Sequence, residues 1–105
     1  MPDIIILKKI FDMVVAERNN QFETWGDQHL PIISPSARYI SEKSLFQFRI
    51  YMERIEKEKT YTWHDITFEE FLEFFSETDK DKQIVEGIQL IAVLFQILES
   101  DLLTL

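Results

Sequence analysis

Apolar positions recur along this chain at helical spacing in four stretches separated by short polar or Pro-containing breaks. The first follows Asp3, a plausible cap, and sets Ile6, Leu7, Ile10, Phe11, Val14 and Val15 on one side. Lys8, Lys9, Asp12, Glu17 and Asn20 lie on the other, so the spacing predicts a surface helix to about Glu23. The second opens at Ser34-Pro35-Ser36, with Pro tolerated in the first turn. It carries Tyr39, Ile40, Leu45, Phe46, Phe48, Ile50, Met52 and Ile55 to about Lys59, for a core or for a subunit interface.

The third stretch begins at Trp63, where the Thr62 hydroxyl caps and Asp65 closes a capping box. Phe68, Phe71, Leu72 and Phe75 form its apolar stripe, and Ile66, Glu70, Glu73 and Glu77 the adjacent one. The break before the fourth stretch falls near Thr78 and Asp79, with Thr78 as the expected cap and Asp81 three positions later. From Ile84 to Leu98 nearly every position is apolar, which predicts a helix buried nearly all round. Together these stretches predict an all-α, four-helix bundle in one domain over residues 1–105.

Polar residues that break these patterns mark the candidate chemistry. Glu70 and Glu73, three apart, project from one face of the third helix, and Glu86 and Gln89 repeat the spacing on the fourth. Folding the chain back about the Thr78 break brings these four oxygen-bearing side chains together. Carboxylates crowded in a mostly apolar bundle repel one another and lose water unless a cation or shared protons compensate. Oxygen ligands suit a hard divalent ion, so magnesium or manganese is the expected occupant. The plainer reading is an acidic, solvated helix face, in which Lys82 pairs with Glu86 one turn away.

The segment Trp25-Gly26-Asp27-Gln28-His29-Leu30-Pro31 reads as an ordered loop, Gly26 permitting a left-handed turn. Trp25 is either a plug over the end of the core, the commoner case, or a ligand contact. His29 has no second His at metal spacing and no Cys to join, so a loop hydrogen bond is expected.

Composition narrows the class. Nine Phe against only two Gly and three Pro favours helices over a many-stranded sheet. The absence of Cys excludes disulfides and thiolate metal sites and fits the cytoplasm. Early charges at Lys8 and Lys9 argue against a signal sequence, and no charge-free run reaches spanning length, so no membrane association is expected. A net charge of -8 argues against binding a nucleic acid polymer, although carboxylates can still meet phosphate through divalent cations.

Glu17-Arg18 and Gln21 followed by Trp25-Gly26, then Trp63-His64-Asp65-Ile66 running into Glu69-Glu70, then Glu86 and Gln89 in an apolar helix, give the chain a family likeness. It resembles the MazG-like proteins, in particular the small versions of bacteriophage and bacterial genomes. That family carries an E-x-x-E motif followed by E-x-x-D on helices that hold magnesium. The resemblance implies an all-α, MazG-like bundle, assembly into homodimers or homotetramers, and hydrolysis of a (deoxy)nucleoside triphosphate to monophosphate and pyrophosphate.

By that likeness Glu70, Glu73 and Glu86 bind the metal, with Gln89 standing where the family has Asp. A neutral amide is a weaker ligand for a hard cation than a carboxylate. Thr24 stands where similar small proteins often carry Lys, so Lys80 and Lys82 at the start of the last helix are the nearest phosphate contacts. Glu69 or Glu70 would take the proton of the attacking water, and Gln21 and Trp25 would face the base. The alternative is a catalytically weak or inactive descendant, a nucleotide-binding or helical protein-interaction module of a phage or bacterium.

Overall fold

The computed structural model describes residues 3–105, and among them it holds four α-helices and no strand. These are α1 (Ile4–Trp25), α2 (Pro35–Glu58), α3 (Trp63–Ser76) and α4 (Lys80–Leu103). Local chemistry accounts for where each begins. Asp3 Oδ1 accepts from the backbone N–H of Ile5 at 2.9 Å, and Ser34 Oγ accepts from Ala37 at 3.2 Å. At α3 the capping box is complete: the Thr62 N–H donates to Asp65 Oδ2 at 2.9 Å, and the Asp65 N–H donates to Thr62 Oγ1 at 3.4 Å.

The cap of α4 is Asp79 and not Thr78. The Lys82 N–H donates to Asp79 Oδ1 at 3.0 Å, and the Gln83 N–H to the Asp79 carbonyl at 2.8 Å. A carboxylate there satisfies a free N–H and also complements the positive end of the helix, which a hydroxyl does less well. Gly26, with φ 71°, closes α1 in a conformation that favours glycine.

The chain divides into two compact units. In Pro31–Leu94, α2 packs on α3. Ser41, Leu45, Met52 and Ile55 make the buried stripe of α2, and Asp65 and Leu72 are the buried positions of α3. Phe48 meets Phe68 edge to face at 4.9 Å, and the Ser41 and Ser76 hydroxyls lie 3.4 Å apart. The first turns of α4 lean on Phe74: buried Gln83 donates through Nε2 to its carbonyl at 3.4 Å, and its ring lies over Gly87. In the unit formed by Met1–Leu30 with Phe95–Leu105, Ile10 is buried. Ile10, Met13, Val14, Leu98 and Leu102 line an apolar groove of about 270 Å³ there.

Two expectations about burial are overturned. The α4 helix is not buried all round: only Gln83 is buried, whereas Ile84, Val85, Ile88, Ile91, Leu94 and Leu98 are exposed. An all-apolar helix is buried only if neighbours surround it, and within Pro31–Leu94 this one has α3 on a single side. Trp25 is not a plug, because it ends α1 with 62% of its surface exposed. On α2, Phe48 is half-buried while Tyr39, Ile40, Phe46 and Ile50 face outward, so the aromatic stretch is only partly core. By length and composition α4 is also the one described helix that is apolar enough to cross a membrane.

Candidate metal centre

Helix α3 presents Glu70 and Glu73 one turn apart, and α4 presents Glu86 toward them after the break at Glu77–Asp79. One carboxylate oxygen from each of the three lies within 4.8 Å of the other two, and all three residues are half-buried. Oε2 of Glu70 and Oε2 of Glu86 are shut off from solvent and have no hydrogen-bond partner. An unpartnered buried carboxylate oxygen is costly, and two of them on residues of one acidic cluster is a condition that a bound cation relieves. The donor set fits magnesium or manganese: oxygen only, three carboxylates, no sulfur or imidazole.

The electrostatics run the same way. Burial holds the Glu70 carboxyl above the ordinary carboxylate range, and the charges of Glu73, Glu86 and Glu69 push it further. Burial followed by the charge of Glu73 does the same to Glu86. Glu69, on the neighbouring strip of α3, is raised by burial and then by Glu73, with Arg49 opposing.

Among the described residues one cation meets the cluster. Arg49 Nη2 donates to Glu73 Oε1 at 3.3 Å from α2. The expected Lys82–Glu86 pair is not among the ion pairs of the described residues, since Lys82 is exposed at the start of α4 and Glu86 turns toward α3. Sequence patterning missed Arg49. It stands twenty-four positions from Glu73, and no local spacing connects them. Buried Gln83, which donates to the Phe74 carbonyl, carries no sequence signal that singles it out either.

The remaining candidates are distributed differently. Gln89 is exposed one turn beyond Glu86, and Lys80 and Lys82 are exposed in the first turn of α4. Glu69 edges an open cleft of about 770 Å³ together with Met52, Glu56, Lys59, Tyr61 and Ile66. Gln21 and Trp25 belong to α1 and so to the other unit, where Gln21 accepts from Arg18 at 3.0 Å. His29 makes the expected loop contact, its Nε2 3.1 Å from Asp27 Oδ2.

Fold and site together define an all-α protein with an oxygen-ligand carboxylate cluster built on two consecutive helices. Compared with family models, curated proteins and solved structures, the chain gives no match in any of the three.

Proposed function

We propose that this chain is a metal-dependent nucleotide pyrophosphohydrolase with a MazG-like helical bundle. It would cleave a (deoxy)nucleoside triphosphate to monophosphate and pyrophosphate in the cytoplasm. The observation that carries the reading is the convergence of Glu70, Glu73 and Glu86 within 4.8 Å, with two of their oxygens buried and unpartnered. These three carboxylates would hold magnesium or manganese. An ion held there would supply Lewis-acid polarisation of phosphate oxygens and of water.

The chain's own residues do the rest. Glu69, whose proton affinity is raised by burial, accepts the proton of the water that attacks phosphorus in line, and Glu70 is the other carboxylate placed to do so. Lys80 and Lys82, at the positive end of α4, contact the leaving phosphates as charge develops. Arg49 orients Glu73 through its hydrogen bond. Gln89, exposed one turn beyond Glu86, would add a weak amide ligand on α4.

A second reading has its own observation. Gln89 is a neutral, exposed amide one turn from Glu86, so the cluster holds three carboxylates and not four. A site that binds nucleotide without cleaving it follows from that difference. Purified protein incubated with each common nucleoside triphosphate and magnesium or manganese separates the two. Pyrophosphate release that disappears in Glu73→Gln supports hydrolysis. Calorimetric nucleotide binding without pyrophosphate release supports the binding module.

A further inference from the structure

Helices α2 and α3 run antiparallel, as the contacts of Phe48 with Phe68 and of Ser41 with Ser76 show. On α2, Arg49, Met52, Glu56 and Lys59 follow one another at spacings of three, four and three; on α3, Ile66, Glu69 and Glu73 do so at three and four. Met52, Glu56 and Lys59 line the open cleft of about 770 Å³ together with Ile66, Glu69 and, from the connecting turn, Tyr61. One turn on from Met52 and Glu69, Arg49 and Glu73 bond across the helices at 3.3 Å. The cleft and the carboxylate cluster are therefore neighbours on α3, joined where Glu69 adjoins Glu70 and Glu73.

The turn that carries Tyr61 is fixed at both ends, so the cleft is formed before any ligand arrives. Lys59 takes the left-handed conformation, φ 56° and ψ 38°, and its N–H donates to the Glu56 carbonyl at 3.2 Å while that of Thr60 donates to the Ile55 carbonyl at 3.0 Å. Two residues on, the Thr62 N–H is held by Asp65. Glycine is the usual residue at such a helix end, and a lysine there places an ammonium at the mouth of the cleft. Buried Met52 and half-buried Ile66 give an apolar floor, and Tyr61 stands over the mouth with half its surface free. The volume is that of a small-molecule site, roughly 300–1,000 Å³.

We propose that this cleft holds the base of a nucleotide whose phosphates meet the cluster, and that it selects bases with an exocyclic amino group, adenine, cytosine and guanine, over uracil and thymine. The assignment rests on the nucleotide reading of the cluster but not on hydrolysis. The apolar floor and the Tyr61 ring suit the faces of a flat heteroaromatic ring. An ionised carboxylate accepts hydrogen bonds and donates none. An exocyclic amino group donates to Glu56, whereas uracil and thymine turn a carbonyl oxygen to the same place and are repelled. Glu56 and Glu69 against the single ammonium of Lys59 leave the lining acidic, which favours an edge rich in donors. A linear polyamine would meet the carboxylates but leave the apolar floor and the ring of Tyr61 uncovered.

The test reads occupancy of the cleft itself, apart from turnover. The sequence has three methionines and Met52 lines the cleft, so isotope-labelled methionine methyls of the full chain report binding by NMR, with Met52→Leu assigning the resonance. In millimolar magnesium the Met52 resonance is expected to move with the monophosphates of adenosine, cytidine and guanosine. Their affinity exceeds that of the uridine and thymidine monophosphates by about fivefold or more, the low end for one well-made contact to a base edge. Glu56→Gln, whose amide also donates, brings the two groups close to parity, and Tyr61→Ala weakens all of them together. Both side chains are exposed, so helical circular dichroism is retained. Equal affinities in the parent chain overturn the proposal, as do a preference for uracil or thymine, a Met52 resonance that no nucleotide moves, and a ratio unchanged in Glu56→Gln. A shift with spermidine and with none of the nucleotides assigns the cleft to a polyamine instead. Pyrophosphate release is followed separately on the triphosphates. Its absence removes the hydrolase reading and leaves base selection standing, whereas release without a Met52 response removes base selection alone.

Discussion

Arg49 Nη2 lies 3.3 Å from Glu73 Oε1 across twenty-four positions of chain, which makes Arg49 the cation that faces three clustered carboxylates. One guanidinium on a largely exposed side chain does not balance three acidic groups, and the unpartnered oxygens of Glu70 and Glu86 show where the imbalance falls. The cluster in the absence of a divalent ion is therefore under electrostatic tension, and the following outcomes are expected.

Replacing Arg49 by Ala removes the compensating charge. In chelator the variant loses stability by about 0.2–1 kcal/mol, the range for an exposed pair. In millimolar magnesium the loss is smaller, because the ion takes over the compensation. Thermal melts of both proteins in the two buffers measure the difference.

Glu86→Gln keeps the shape of the side chain and removes one of the repelling charges. The melting temperature in chelator rises, and the stabilisation that magnesium confers on the parent chain is lost. A residue needed only for packing would show a fall in both buffers, and that result would remove Glu86 from the ligand set.

Acid dependence has a definite sign. Glu69, Glu70 and Glu86 all hold protons more tightly in the folded chain than an ordinary carboxyl does. The folded state then binds more protons than the unfolded state, so their contribution to stability is present below the ordinary carboxylate value. It is lost as pH rises through the raised folded values. In chelator, melting temperatures fall as pH rises across that window, and magnesium flattens the slope. Magnesium affinity itself rises over the same interval, because the ion competes with those protons.

Asp65 has the opposite sign. The backbone N–H of Thr62 holds its carboxyl below the ordinary range, so its contribution is present above the ordinary value and is lost as pH falls through the lowered one. Thr62→Ala breaks one half of the capping box and is expected to cost roughly 1 kcal/mol. The expected urea midpoint is lower with an unchanged slope, and an unchanged midpoint would show that the box carries no stability.

At Gly87 a Cβ would rest 3.6 Å from the Phe74 ring, an ordinary contact, and the residue lies inside α4 with no positive φ. Gly87→Ala is therefore expected to stabilise by about 0.5–1 kcal/mol through helix propensity. A loss of stability in the same melt would show that the α3–α4 approach is tighter than this spacing.

Helix positions were legible because their causes are local. Ser34, and Thr62 with Asp65, act within a few residues of themselves, and each does in the structure what its spacing predicts, whereas Gly26 takes a positive φ of 71° without the left-handed ψ. The cap of α4 was misplaced by one residue because Thr78 and Asp79 both cap well, and the choice turns on which side chain reaches the free N–H groups. The pairs Glu70–Glu73 and the position of Glu86 were legible for the same reason, as three-residue spacings on a helix.

What the chain's order of residues determined by itself is thus the set of four helices and which carboxylates each presents, since capping and periodicity act over one or two turns. Tertiary structure alone decided that Arg49 meets Glu73, that Gln83 is buried beneath Phe74, and that the apolar surface of α4 and the ring of Trp25 stand exposed. Burial depends on how many neighbours surround a helix, and an apolar side chain reads the same whether its neighbour lies in its own chain or elsewhere.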